Sequence, residues 1–142
     1  MPVFKEAADL ETTIGGFFER LRYVEEAHLI HQIGGTVEFV FHQPDTRIRW
    51  TIQEPGVVPP FQVEIGESAE AALLTFEQNG DTANRFWLGK LDLQQALARQ
   101  LVRARGPLSR AMKLIPHLDT IYPIYISYLT ENNRSDLLAG LR

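Results

Sequence analysis

The sequence contains no cysteine. Disulfides, thiolate metal sites and cysteine nucleophiles are therefore excluded, and packing alone must hold the fold. Long apolar runs are missing as well. The longest, such as Ile121 to Ile126, fall far short of the ~20 residues that cross a bilayer. The stretch from Met1 to Leu10 carries Glu6 and Asp9 and has no apolar centre, so no secretory signal is expected. A soluble, cytoplasmic protein is the resulting expectation. Catalytic signatures are absent too: no Gly-x-Ser-x-Gly, no phosphate loop and no dinucleotide-binding glycine pattern. No enzymatic activity and no cofactor are expected.

Histidine is scarce, with 4 in the chain. His28 and His31 stand three apart, His42 ends a candidate strand and His117 follows Pro116. A metal site needs a third ligand, and no spacing supplies one beyond Glu25, so no metal is expected.

What is present is ordinary for a globular chain. It has 142 residues, 44% of them apolar and 23% charged, which favours one domain spanning 1–142 with a core of its own. Net charge is −4 but unevenly spread. Residues 1–84 hold 5 basic and 14 acidic groups, whereas residues 85–113 hold 7 basic groups and only Asp92. The acidic whole argues against nucleic-acid binding. The basic stretch, with Arg103, Arg105 and Arg110, has two readings: a solvated face, or a patch that makes transient contact with an anionic membrane or lipid headgroup.

The apolar pattern changes period along the chain. Ile14, Phe17, Phe18, Leu21 and Val24 recur at spacings of three and four, one face of a helix capped by Asp9 or Thr12 and stopped at Gly34-Gly35. Alternation follows: Val37, Phe39, Phe41, then Ile48, Trp50, Ile52, then Phe61, Val63, Ile65, then Ala72, Leu74, Phe76 in a strand that ends at Asn79-Gly80. Period two of this kind makes strands with one buried face. Asp81 can cap a short helix through Phe86 and Trp87, and Asp92 another from Leu93 to Arg99. Leu101–Arg105 is a fifth candidate strand, and Gly106-Pro107 opens a helix that Pro116 ends. From Leu118 to Leu129 helical spacing persists with apolar residues nearly all round, and Pro123 should kink or restart it.

The stretch from Leu73 to Leu114 resembles the sterol carrier protein 2 family. The resemblance lies in the order Leu74-Thr75-Phe76, Asp81 and Phe86, Gly89-Lys90-Leu91-Asp92, Gln95-Ala96-Leu97, Val102 to Gly106, and Ala111-Met112-Lys113-Leu114. Gln100 stands where that family often has glycine, and Pro107 where it often has an acidic or amide residue. Gly140-Leu141-Arg142 is not the peroxisomal tripeptide of animal members, so a peroxisomal location is not expected.

The resemblance implies an α+β fold: a five-stranded, mainly antiparallel twisted sheet, covered on one face by helices and enclosing a hydrophobic tunnel. It implies non-catalytic binding or carriage of a sterol, a fatty acyl chain or an isoprenoid quinone lipid. The alternative is an accessory or scaffold domain with a vestigial pocket that docks on a partner protein, for example in quinone biosynthesis. Together with the apolar excess of residues 118–129, it points to Phe76, Trp87, Leu108, Met112, Ile115, Ile121 and Tyr125 as the lining. The expected cavity is ~300–1,000 Å³, the usual range for ligand pockets.

Overall fold

Residues 2–141 are described by a computed structural model; Arg142, the end of the C-terminal tripeptide, lies outside them. The first helix, α1, runs Ala7–Leu21. Its apolar stripe, Leu10, Ile14, Phe17, Phe18 and Leu21, is wholly buried. Neither expected cap is used. Glu6 occupies the cap position without a side-chain bond, and Asp9 instead accepts from Arg134 Nη1 at 2.5 Å, tying α1 to the C-terminal region.

The helix also stops earlier than its pattern suggests. Arg22 donates from Nε to the Phe61 carbonyl at 2.9 Å and from Nη2 to Gln62 Oε1 at 2.8 Å. These bonds hold the helix end against a neighbouring strand. Val24 is extended, and a separate 3₁₀ segment covers Glu25–Gln32 before Gly34 and Gly35. Tertiary bonds thus interrupt a periodicity that reads as continuous.

Five strands follow: β1 Thr36–His42, β2 Thr46–Ile52, β3 Phe61–Ile65, β4 Leu74–Asn79 and β5 Val102–Arg105. They form one sheet in the order β3-β2-β1-β4-β5. Three pairings are antiparallel, as expected for a mainly antiparallel sheet, and β1 with β4 is parallel. The parallel pair has a topological cause. Since β3 lies at one edge and β4 beyond β1, residues 66–73 must cross the sheet before β4 begins. Ala72 therefore sits in the crossover, and β4 starts at Leu74.

The register sorts the side chains. Val37 faces Trp50 and Leu74, Phe39 faces Ile48 and Phe76, and Gln78 faces Phe41 and Val102, all on the helix-covered side. The opposite side carries Glu38, Arg47, Arg49, Glu77, Arg103 and Arg105. Over it runs the crossover, held by Arg49 Nη2 donating to the Glu70 carbonyl and by Leu73 N–H donating to Thr36 Oγ1 at 3.0 Å.

The remaining helices are α2 Gly80–Trp87, α3 Leu93–Ala98, α4 Leu108–Met112 and α5 Leu118–Glu131, with 3₁₀ segments at Ile115–His117 and Ser135–Leu141. Asn79, not Asp81, caps α2: its Oδ1 accepts from Thr82 N–H at 2.8 Å. The Asp81 carboxylate accepts from Val3 N–H instead. Asp92 caps α3 as the spacing predicts, accepting from Gln95 N–H at 3.2 Å. Gln100 has φ of 60°, the left-handed region that glycine favours, which accounts for glycine being common there in the resembled family.

The last helix runs unbroken through Pro123, whose ring is on the exposed side. Ile121, Tyr125 and Leu129 are fully buried. Tyr128 lies over α1, where a Cβ on Gly16 would collide with its hydroxyl. Glycine in α1 weakens the helix by about 1 kcal/mol relative to alanine, and here it permits the close approach of α5. The second apolar side of α5 is thus explained by packing against α1 and α2.

Candidate functional site

Between sheet and helices lies an apolar cavity of about 60 Å³. The sheet contributes Val37, Phe39, Trp50, Phe76, Gln78 and Val102 to its wall. Helical segments contribute Phe86 and Trp87 from α2, Leu93 from α3, Ala111 from α4, and Leu114, Ile115 and Leu118 beyond it. No charged side chain lines it. The volume is below the ~300 Å³ at which drug-sized ligand pockets begin. It exceeds the ~10–15 Å³ needed for one water molecule.

The seven residues expected to line a tunnel divide. Phe76, Trp87 and Ile115 line the cavity. Ile121 and Tyr125 are fully buried behind it in the main core, where the Tyr125 hydroxyl donates to Asn84 Oδ1 at 2.6 Å. Burial pushes that phenol well above the usual tyrosine range. Met112 turns to a satellite cluster of Leu91, Leu93, Ala96 and Val102, and Leu108 packs on the margin of the main core. A five-residue α4 points Ala111 inward, so its neighbour Met112 falls beside the wall.

Gln78 also lines the cavity and is not among the seven expected residues, although it lies in the fourth strand before the Asn79-Gly80 end. It continues the inward alternation Leu74, Phe76, Gln78. Only 8% of it is exposed. It also borders a polar surface cleft with His42, Gln43, Glu77, Gln100 and Arg103, so it stands between the cavity and that cleft.

Within the cleft, His42 Nε2 lies 2.8 Å from Glu77 and Nδ1 lies 3.4 Å from Asp45. The hydrogen bond to Glu77, opposed by desolvation and helped by the weaker contact with Asp45, raises the imidazole above its ordinary pKa. The bond to His42 in turn lowers Glu77. A raised histidine stabilises the fold fully below its unfolded pKa of about 6.5, and that contribution disappears as pH rises through the folded value. The Glu77 contribution is present above its unfolded pKa and lost as pH falls through its lowered folded value. In Glu77→Gln, the His42 midpoint followed by proton NMR is therefore expected to fall toward that of a free histidine. An unmoved midpoint would mean that Asp45 carries the pairing.

His31 Nδ1 lies 3.0 Å from the Gln53 carbonyl, and His28 contacts the Glu25 carbonyl. Among the described residues, no three histidine, aspartate or glutamate side chains are placed to hold a metal ion. No helix among them is long and apolar enough to cross a membrane. Arg103 and Arg105 stand on the sheet face away from the helices, opposite Glu77 and Thr75. Arg110 belongs to the helical layer and donates to the Ile33 carbonyl at 3.4 Å. The structure therefore separates the three arginines into two on one face and one on the other.

The site is thus an apolar space enclosed between a mixed five-stranded sheet and one helical layer. No protein-family model and no curated protein sequence matches the chain. Solved structures do, and the fold is that of sterol carrier protein 2 domains. The sterol carrier protein domain 2 of Helicoverpa armigera matches with a TM-score of 0.53 and 23% identity, over 75% of this chain and 87% of that one. The UbiJ-SCP2 ubiquinone synthesis protein matches with a TM-score of 0.53 and 14% identity, over 80% of this chain and 88% of that one. The stereoselective inverting sec-alkylsulfatase Pisa1 from Pseudomonas sp. matches with a TM-score of 0.52 and 16% identity, over 69% of this chain. This chain spans 14% of that enzyme's length.

Proposed function

We propose that the chain is one lipid-binding domain that holds an apolar ligand between sheet and helices and performs no chemistry of its own. The observation that carries this reading is the cavity wall, apolar except at Gln78 and free of charged lining groups. Burying a ligand methylene there contributes about 0.8 kcal/mol, so affinity needs no reactive group. Candidate ligands are a sterol, a fatty acyl chain or an isoprenoid quinone lipid; the neighbour described as a ubiquinone synthesis protein supports the last.

In this reading the cavity of about 60 Å³ is the closed form, and the ligand enters by displacing the wall from Leu108 to His117. That wall is two short helical segments. Its Ala111 and Leu114 keep 7% and 8% exposure, whereas the α1 stripe on the other side keeps none. Thinly buried segments open at lower free energy than core elements. Arg103 and Arg105 would meet an anionic membrane during loading, with Arg110 reached only as the α4 wall turns outward.

A second reading is favoured by the same small volume. A nearly filled interior suits an accessory domain whose pocket is vestigial and which docks on a partner protein. The sulfatase, in which this fold is a small part of a long chain, supports such a role.

Titration with straight-chain alcohols of increasing length tests the choice. A binding cavity gives about a fourfold gain in affinity per added methylene until it is full. Ala111→Trp fills the space and is expected to abolish that gain while the protein stays folded. Weak binding that does not depend on chain length, in parent and variant alike, would favour the docking domain.

A further inference from the structure

Gln78, which also borders the polar cleft, and Trp50 carry polar groups in the cavity wall. Gln78 is 8% exposed, yet its carboxamide takes no part in the side-chain hydrogen bonds around it, neither that of His42 with Glu77 nor that of Tyr125 with Asn84. Trp50 is 2% exposed, and its indole Nε1–H has no acceptor. Both residues line the same cavity. Natural interiors pair nearly all such groups, and leaving one unpaired is costly. An alternating strand that needed only packing would place leucine at position 78, after Leu74 and Phe76.

We infer that the cavity is built for a neutral ligand that carries a hydrogen-bond acceptor, such as a ketone, ester or alcohol, with Gln78 as its polar anchor. This rests on the reading of the cavity as a lipid site and narrows the class of lipid. Indole Nε1–H is a donor only, while a carboxamide both donates and accepts. A ligand carbonyl or hydroxyl can therefore accept from the Gln78 amide, whereas the buried indole N–H does not open onto the cavity. A buried carboxylate does not fit. No cationic side chain lines the cavity, and an ionised group taken from water without a counter-charge costs several kcal/mol. Gln78 lies at the boundary with the polar cleft, so the ligand's polar end faces that cleft and its apolar body extends toward Trp50 and Ala111.

The test uses three probes of one length, octane, octan-2-one and octanoate, read by tryptophan fluorescence. Trp50 and Trp87 are the two tryptophans of the chain and both line the cavity. The parent is expected to bind octan-2-one about tenfold tighter than octane, the equivalent of one net hydrogen bond. Octanoate at pH 8 is expected to bind more weakly than octan-2-one. Gln78→Leu should bring octan-2-one to within about twofold of octane. It should stay folded and melt near the parent temperature, because leucine continues the apolar alternation of Leu74 and Phe76. Equal affinity for ketone and alkane in the parent would overturn the anchor while leaving the lipid reading intact, and this arm needs no variant. Tightest binding by octanoate would also overturn it, placing the head beside Arg103 in the cleft. Binding of none of the three would overturn the lipid reading itself, and the anchor with it.

Discussion

Replacement of Glu38 by leucine is expected to destabilise the protein by about 3–5 kcal/mol, because it leaves a buried guanidinium without its counter-charge. Glu38 is 6% and Arg49 3% exposed, and they meet at 3.0 Å beneath the chain that crosses from β3 to β4. Arg47 reaches the other Glu38 oxygen at 3.2 Å. Arg49 is already incompletely served, since its Nε has no partner. Without Glu38, its remaining bond to the Glu70 carbonyl cannot compensate a full charge. Urea unfolding measures the loss. The double variant Glu38→Leu, Arg49→Met removes both charges and should recover most of it, since buried ion pairs are often no better than apolar replacements. A double variant as unstable as the single would mean that the pair is needed to hold the crossover itself.

Phe18→Ala is expected to cost a similar amount, about 3–5 kcal/mol, by loss of burial and creation of a void. The Phe18 ring centroid lies 4.9 Å from that of Trp50, 5.1 Å from Phe39 and 5.7 Å from Trp87. All three neighbours line the cavity, so the new void opens beside it. Two effects follow from one substitution: the melting temperature falls, and room for a small apolar solute grows. Benzene should therefore raise the melting temperature of the variant more than that of the parent, since a ligand that binds only the folded state stabilises it. Equal shifts would show that the core collapses around the missing ring.

Much of the architecture was legible because period two and period 3.6 report local geometry. Val37, Phe39, Ile48, Trp50 and Phe61 alternate as they do because one face of the sheet is covered. The five strands and the α3 cap at Asp92 follow from such short-range signals. The boundary at Leu21 was not legible, since it depends on Arg22 meeting Phe61 and Gln62 in a strand about 40 residues away. The α2 cap was missed for a related reason. Asn79 and Asp81 are both able caps, and the N-terminal Val3, distant in sequence, draws Asp81 away.

The site was legible in part. Phe76, Trp87 and Ile115 follow from pattern and resemblance. Met112 and Leu108 do not line the cavity, because residue spacing fixes which positions share a helix face but not how a five-residue helix is rotated. Gln78 continues the alternation of Leu74 and Phe76 before the strand ends at Asn79-Gly80, but an amide does not stand out as the wall of an apolar space.

The sheet has two open margins, β3 and β5, and each is guarded against pairing with another chain. Edge strands offer unpaired N–H and C=O groups that recruit further strands, and natural proteins blunt them with brevity, charge and proline. Strand β5 is four residues long, carries Arg103 and Arg105, and is followed by Pro107. Strand β3 is five residues long, follows Pro59-Pro60 and displays Glu64. Two charges on a four-residue edge strand are the kind of feature that discourages strand addition, with no lipid headgroup required. Replacing both by threonine or valine would remove that guard and give β5 the composition of an aggregation-prone edge.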